Sequence, residues 1–526
     1  TAFTRDSDEG ESDTVFEPGA RSTSILEGLQ EAGLAGNCPG NRPRDRRSCS
    51  VAANRLDLEA HTATLLADYG LDNGWTLHSV TSFEHYRDRR DEDDAVQLLT
   101  PLLFFHDSER GDAWQQELRL ESAEGTRMPW LAGIFGYWYD HERGTRGRRP
   151  MFGPNGSAAF DPFWEASLGI PLALPGQSGL HDSRQRAEYL AAYGQLTVPL
   201  GSRFDVTAAA RAARQSRDAS IANAVTVAGR SVVSASLTPA ASPAGEPVNG
   251  SVDRESDEFT WSLSPRLVLD DRRMLYATWA RGGKFGGFNT GFGNAPLAAR
   301  EFDDERIDHF EAGVRLRFAG GRGRLAASAF RTRYHDYQDA TFASAQFSIG
   351  NVERADLDGA EAELEYVAEG GTRTSLSVSY ADFRYGKNTA GLCYPGRVPD
   401  GSVPGACDLA GERPVDAPPW QAWLGVEQPF QLAMRPASVR VDWNWTDRYN
   451  TSFSADPRLR QPGYHDVAIR FGVQLTDALR LEFGGENLLD ETVATTEPVL
   501  NFFNDASWQT YYDAPRRWSM TLRLQF

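Results

Sequence analysis

Nine histidines are the side chains best suited by type to move protons near neutral pH, and they stand singly: His61, His78, His85, His106, His141, His181, His309, His335 and His465. Metal-assisted hydrolysis would need an HExxH pair on one helical face, and acyl transfer a serine on a GxSxG turn; neither spacing occurs. Asp356-Leu357-Asp358-Gly359 opens like a calcium loop but lacks the other oxygen ligands of an EF-hand, so it reads as a turn. The glycine-rich run 282–287 has neither GxGxxG nor Walker spacing and suits a strand bending at a rim. The four cysteines form two local pairs, Cys38 with Cys49 and Cys393 with Cys407, each in a polar Gly/Pro-rich stretch. Two disulfides closing short loops suit an oxidising compartment; four free thiols are the alternative. Without a CxxC there is no zinc ribbon or dithiol redox site, and no cofactor is called for.

The elements that must position such residues are strands. Trp518, Met520, Leu522, Leu524 and Phe526 alternate with Arg517, Ser519, Thr521, Arg523 and Gln525. Val439, Val441, Trp443 and Trp445 alternate with Arg440, Asp442 and Asn444, and Ala360, Ala362, Leu364 and Tyr366 with Glu361, Glu363 and Glu365. Period two puts one set on each face of a strand, and full charges on the polar face suit a water-filled or plugged lumen. The 526 residues carry 24% charged side chains and a net charge of -19, with a mean hydropathy of -0.48. That is compatible with a membrane barrel, which exposes only alternate residues to lipid. No apolar run is long enough for a spanning helix, and residues 1–11 do not form a signal peptide. The acidic balance, with no basic stripe, excludes a nucleic-acid partner.

The whole chain gives about seventeen strands, many of the length a tilted strand needs to cross a bilayer. Tight connections fall near 70–73, 122–128, 199–202, 269–272, 318–321, 368–371, 429–436 and 474–478. Long ones fall near 89–111, 142–185, 218–255, 284–304, 338–354, 386–417, 448–462 and 488–514. Short and long alternate without a break, which is the plan of an all-β, transmembrane, antiparallel up-and-down barrel with short periplasmic turns and long extracellular loops. A soluble sandwich or propeller has no reason to sort its loops this way. By the same parity residues 1–54 form an extracellular loop and residues 55–526 the barrel, with an odd number of strands before the loop.

Five segments, in order, resemble TonB-dependent receptors, the gated outer-membrane importers of Gram-negative bacteria. Residues 114–122, WQQELRLES, resemble the family's QELRL strand and lead into a W-x-x-G-x-F stretch from Trp130 to Phe135. Residues 281–289, RGGKFGGFN, resemble its RGFKPGGFN, and 351–363, NVERADLDGAEAE, are similar to its NAGKAxxKGxExE. Residues 486–491, ENLLDE, resemble its NLFDExY motif, and 514–526 look like its terminal strand. The resemblance implies an importer that takes up a scarce ligand, by family frequency a ferric siderophore or similar metal chelate. It implies as partners outer-membrane lipid, the TonB complex acting through a plug, and the barrel-assembly machinery, whose recognition signal the terminal Trp518, Leu522, Leu524 and Phe526 resemble.

Aromatics in the long connections, Phe105, Trp164, Phe292, Trp508, Tyr511 and Tyr512 among them, form a ligand-binding surface or pack the loops together. The acidic runs at 91–94 and 303–305 disfavour anionic ligands, while Arg143, Arg146, Arg148 and Arg149 pull the other way. The alternatives to import are a passive porin or a surface binding protein, with an outer-membrane barrel hydrolase least favoured. Nothing in residues 1–54 resembles a plug or a TonB box, so those are expected upstream of Thr1. Reading the adjoining coding DNA tests this: an open frame for a signal peptide, a TonB box, a plug and an odd number of strands is the expected result. A signal-cleavage site just before Thr1 would instead favour the passive pore.

Overall fold

A segment that alternates apolar and charged residues buries its backbone polar groups only by pairing them with neighbouring strands. In a computed structural model, which describes residues 2–7, 14–17, 55–93, 104–145, 177–227, 230–231, 249–291, 296–343, 346–394, 396–494 and 508–525, this is what the chain does. A nineteen-stranded sheet runs through the molecule. Two of its members are short, Ala2–Ser7 and Arg230–Ser231. The other seventeen are β1 (Arg55–Gly70), β2 (Thr76–Asp93), β3 (Phe104–Glu121), β4 (Trp130–Thr145), β5 (Gln177–Pro199) and β6 (Phe204–Val227). They continue with β7 (Gly250–Asp270), β8 (Arg273–Lys284), β9 (Glu305–Phe318), β10 (Gly323–Ala343), β11 (Gln346–Val367) and β12 (Arg373–Lys387). The last are β13 (Trp420–Leu432), β14 (Arg435–Thr446), β15 (Tyr464–Gln474), β16 (Leu479–Glu486) and β17 (Arg517–Leu524).

Each strand pairs antiparallel with the next in sequence, so the sheet is an up-and-down meander. Ala2–Ser7 lies on the other edge of β1, from Ala2 opposite His61 to Ser7 opposite Leu56. Thr14–Glu17 pairs with Trp508–Tyr511. The rest of 1–54, with Cys38 and Cys49, falls outside the described residues.

The pleat sorts side chains onto two faces. One, here the outer face, exposes large apolar residues such as Ile134, Phe259, Trp279 and Phe310. Its aromatics lie in two rows. Near the tight turns, Trp75 meets Trp130 edge-on at 4.9 Å and Phe318 stacks on Tyr366 at 6.2 Å. Farther along, Phe83, Trp114 and Trp138 are direct partners across β2, β3 and β4, and Trp279 faces Phe310. About eight residues separate the rows on β4 and β9, roughly 20 Å of height for strands tilted about 40°, close to the apolar band of an outer-membrane barrel. The opposite, inner face carries charge: Glu482 takes Arg480 at 2.9 Å and Arg523 at 3.0 Å, and Arg440 pairs with Asp442 at 2.8 Å beneath Trp423.

Several strands are longer than the alternation suggests, up to 24 residues in β6. The connection expected over 338–354 is instead mostly ladder, with Gln338 opposite Asn351 and Ala343 opposite Gln346. Beyond the apolar band both faces of a strand meet water or polar neighbours, so no alternation marks the continued pairing.

Ala433-Met434 is a two-residue connection between the paired Leu432 and Arg435. Both residues have positive φ, 46° and 64°, the two-residue hairpin geometry that favours Asn-Gly because a Cβ is strained there. Replacing Ala433→Asn together with Met434→Gly is expected to raise the unfolding free energy by about 1–2 kcal/mol. A higher guanidinium midpoint at unchanged slope reports the gain; an unmoved midpoint would contradict the left-handed turn.

Candidate functional site

The inner face of β2–β8, on the side of the long connections, gathers phenols and guanidiniums. One register row runs Glu84, Ala113, Tyr139, Ala187, Arg217, Arg254 across six strands. Along β4 the period of two stacks Tyr137 on Tyr139 at 6.2 Å and Tyr139 on His141 at 5.7 Å. Small neighbours make this possible: a Cβ on Gly111 would sit 2.3 Å from the Tyr86 ring, which lies flat across that glycine. The Tyr86 and Tyr139 hydroxyls meet at 3.2 Å. Glu109 takes Arg143 at 3.2 Å and His141 at 3.5 Å.

Lower on the same face Arg211 lies over Tyr189, Phe135 and Tyr193 at 5.3, 5.5 and 5.7 Å and donates from Nε to the Tyr189 hydroxyl at 3.0 Å. The Tyr193 hydroxyl donates to Glu117. Arg217 differs from its neighbours: its buried Nε has no hydrogen-bond acceptor, and it forms no ion pair with a described residue. These groups present hydrogen-bond donors, positive charge and flat apolar rings to the same space.

The connection from β8 to β9 folds back over this wall. Phe285 packs edge-on against Tyr189 at 5.6 Å. Arg254 reaches Glu301 at 2.6 Å, Asp304 at 3.0 Å and Asp303 at 3.5 Å, and Asp304 also accepts the Gly286 amide at 2.6 Å. The Gln338 amide nitrogen donates to the carbonyls of Phe285 and Asp303 at 2.9 and 3.0 Å. Arg300, 1% exposed, donates to the carbonyls of Asn289 and Gly291, and burial pushes its guanidinium below the ordinary arginine range. The glycine run is therefore explained by close approach: a Cβ on Gly286 would lie 2.2 Å from the Phe302 carbonyl oxygen and 2.9 Å from the Arg254 guanidinium.

The later connections pack on one another. Cys393 and Cys407 are joined by a disulfide. Leu409, next to that loop, is buried with Val352, Tyr385 and Ala455. The Asp408 amide donates to Asp400, which holds that carboxyl below the usual carboxylate range. Tyr394 lies between Arg397 and Arg458, each 5.9 Å away. The Tyr449 hydroxyl donates to the Ala494 carbonyl at 3.1 Å, and the Ala494 amide to Gln461 at 2.9 Å.

Of the aromatics singled out in the sequence, Tyr512 is buried against Ala494. Phe105 stands in β3 opposite Glu92, and Trp508 and Tyr511 stand in the strand opposite Glu17 and Thr14. The side chains of those three, and Trp164, Phe292 and Phe526 altogether, fall outside the described residues. Trp518, Leu522 and Leu524 are exposed on the last strand. Tyr86, Tyr139, Arg217 and Arg254 were not picked out, because they sit in stretches read as strand ends or long connections. The run Tyr137, Tyr139, His141 at spacing two was the available signal. Among the described residues no cluster of His, Cys, Asp and Glu is placed to hold a metal ion.

Residues 4–488 match a family model described as "TonB dependent receptor-like, beta-barrel". The pesticin receptor of Yersinia enterocolitica is 24% identical over 340 residues, 65% of this chain and 44% of that protein. Among solved structures, the ferric yersiniabactin uptake receptor FyuA from Yersinia pestis is similar with a TM-score of 0.68 at 18% identity, over 90% of this chain and 62% of that one. The siderophore receptor PiuA from Acinetobacter baumannii gives 0.65 at 15% identity, over 90% and 65%. At these identities the likeness is one of fold. The chain thus spans less than half of the curated relative and under two thirds of either structure.

A methyl group at Gly286 meets backbone rather than a flexible side-chain end, so Gly286→Ala is expected to lift the 285–304 connection from the wall at a local cost of about 1–3 kcal/mol. Faster amide exchange across 285–304, with β1–β7 unchanged, is the expected readout. Unchanged exchange there would show that the close approach does not hold the connection.

Proposed function

The chain belongs to the TonB-dependent receptor β-barrel family, and from that membership we propose that it is the barrel portion of an outer-membrane receptor importing a ferric siderophore or similar metal chelate. In this reading the seventeen strands belong to a closed barrel whose outer face meets lipid and whose inner face lines the lumen. The long connections, with residues 1–54, lie outside the cell. The TonB complex supplies energy through a plug domain, and the assembly machinery reads the terminal Trp518, Leu522, Leu524 and Phe526. The role is transport, not catalysis, and the metal is cargo.

The observation that carries the ligand class is the inner-face row of Tyr139, Arg217 and Arg254 beside stacked Tyr137 and His141. A metal chelate is compact, rigid and rich in oxygen ligands. Guanidiniums give such a surface charge-assisted hydrogen bonds without competing for the metal, protonated phenols add neutral ones, and the rings pack its flat parts. Arg217, with an Nε that no described acceptor takes, has the most to gain from an oxygen-rich ligand. Phe105, Trp164, Phe292, Trp508 and Tyr511 are proposed to close over the ligand from the connections, with Tyr512 buttressing them from below.

The test is binding of a panel of ferric chelates, each with its metal-free form, to the full-length receptor. Ferric forms are expected to bind in preference, and Arg217→Ala to weaken binding about tenfold to a hundredfold, the value of a charge-assisted hydrogen bond. Equal binding of ferric and metal-free forms, or of neither, would remove the chelate reading.

A further inference from the structure

The outer face of β4–β7 is dented. One register row there reads Ile134, Ala192, Ala212, Phe259, so two small side chains lie between two that stand out, 58% and 61% exposed. With Trp138 and Leu190 these residues bound a groove of about 790 Å³. The groove is not apolar throughout: Arg214 and Asp257 also line it, and both are largely exposed. Arg214 takes Glu255, but its Nε lies 3.9 Å from Asp257, beyond hydrogen-bonding distance. A hydrocarbon chain fills a dent but offers nothing to charged groups, and full charges on such a wall are costly where lipid is all they meet. Their presence beside the groove calls for a polypeptide partner.

The register supplies the complement. Across β6 and β7, Ala212 stands opposite Phe259 and Arg214 opposite Asp257. A hole lies beside a knob and a cation beside an anion, in the same order on the same two strands. A two-fold axis between β6 and β7, along the membrane normal, turns β7 of one protomer onto β6 of its partner. Phe259 then faces the partner's Ala192 and Ala212, and Asp257 faces the partner's Arg214, at similar depths in the membrane. Each contact occurs twice, as an isologous interface requires.

We propose that β4–β7 are the interface of a two-fold dimer of this receptor, with Phe259 of each protomer seated in the other's alanine groove and Arg214 paired with the other's Asp257. The inference rests on the outer-membrane placement proposed above, but not on any ligand of the inner face. Small residues let the two walls approach closely enough for the knobs to pack. The facing wall takes the Arg214 and Asp257 charges out of contact with lipid, and their pairing fixes the register of one copy on the other.

The test weighs the full-length receptor, in detergent and in lipid nanodiscs, by native mass spectrometry; a dimer is expected. Ala212→Phe, which fills the hole, and Phe259→Ala, which removes the knob, are each expected to weaken dimerisation about tenfold or more. Arg214→Asp leaves only acids in the patch and Asp257→Arg places a second arginine beside Arg214, so each alone is expected to be monomeric. Mixing the two is expected to give a heterodimer, which loss of the pair within one chain would not produce. Heat-modifiable gel migration stays as in the unaltered receptor, which excludes misfolding. Ferric-chelate binding is read on the same samples, so a monomer that still binds chelate overturns the dimer and leaves the import reading in place. A monomer with lipid in the groove, a dimer indifferent to the Ala212 and Phe259 variants, or charge variants that do not combine would each overturn the proposal.

Discussion

Backbone hydrogen bonding is the constraint on which the rest of this molecule depends. A strand in lipid has no water to satisfy its N–H and C=O groups, so each must find a partner on an adjacent strand. The meander answers this with neighbours that are also adjacent in sequence, and on the side of the tight connections the register is set by a turn. Register in turn decides which side chains share a face. A slip of one residue in β4 would exchange the faces that Tyr139 and Trp138 occupy.

The two faces then solve opposite problems. Outside, aromatic rows mark the edges of a mostly apolar band, interrupted by polar side chains that pair with one another, as Thr81 does with Gln116 and Arg214 with Glu255. Inside, charge is tolerated because it is paired along and between strands, as in Arg480, Glu482 and Arg523. The inner face departs from this where Tyr86, Tyr139, Arg211 and Arg217 cluster. Small residues on the neighbouring strands, Gly111, Ala113 and Ala187, give the rings and guanidiniums space to lie along the sheet instead of standing away from it. Room on the wall is what leaves these groups side by side on one face.

The long connections are organised by the same need to satisfy polar groups. Between β8 and β9, Arg300 and Gln338 spend their donors on backbone carbonyls, which ties an irregular segment to the wall beneath it. Between the later strands a small core around Leu409 and Tyr385, a disulfide and side-chain bonds to Ala494 join connections that are far apart in sequence. Aromatics there serve both purposes: Tyr512 is spent on packing, while Tyr394 is flanked by two guanidiniums.

Period-two alternation over segments such as Trp518 to Leu524 determined by itself that the chain is a sheet, which residues share a face, and how the strands follow one another. The alternation of short and long connections determined the meander, and ordered motifs such as QELRL and ENLLDE pointed to the family. These are properties of contiguous residues, which is why they were legible. Strand ends were not, because above the apolar band pairing continues with no change of polarity to mark it, as in 338–354. The inner-face site was not legible either. Tyr139, Arg217 and Arg254 come from three strands and meet only through register, and the 285–304 connection reaches them only because Gly286 allows contact with Phe302 and Arg254. Such distances depend on how separate segments pair, and only the tertiary structure sets them.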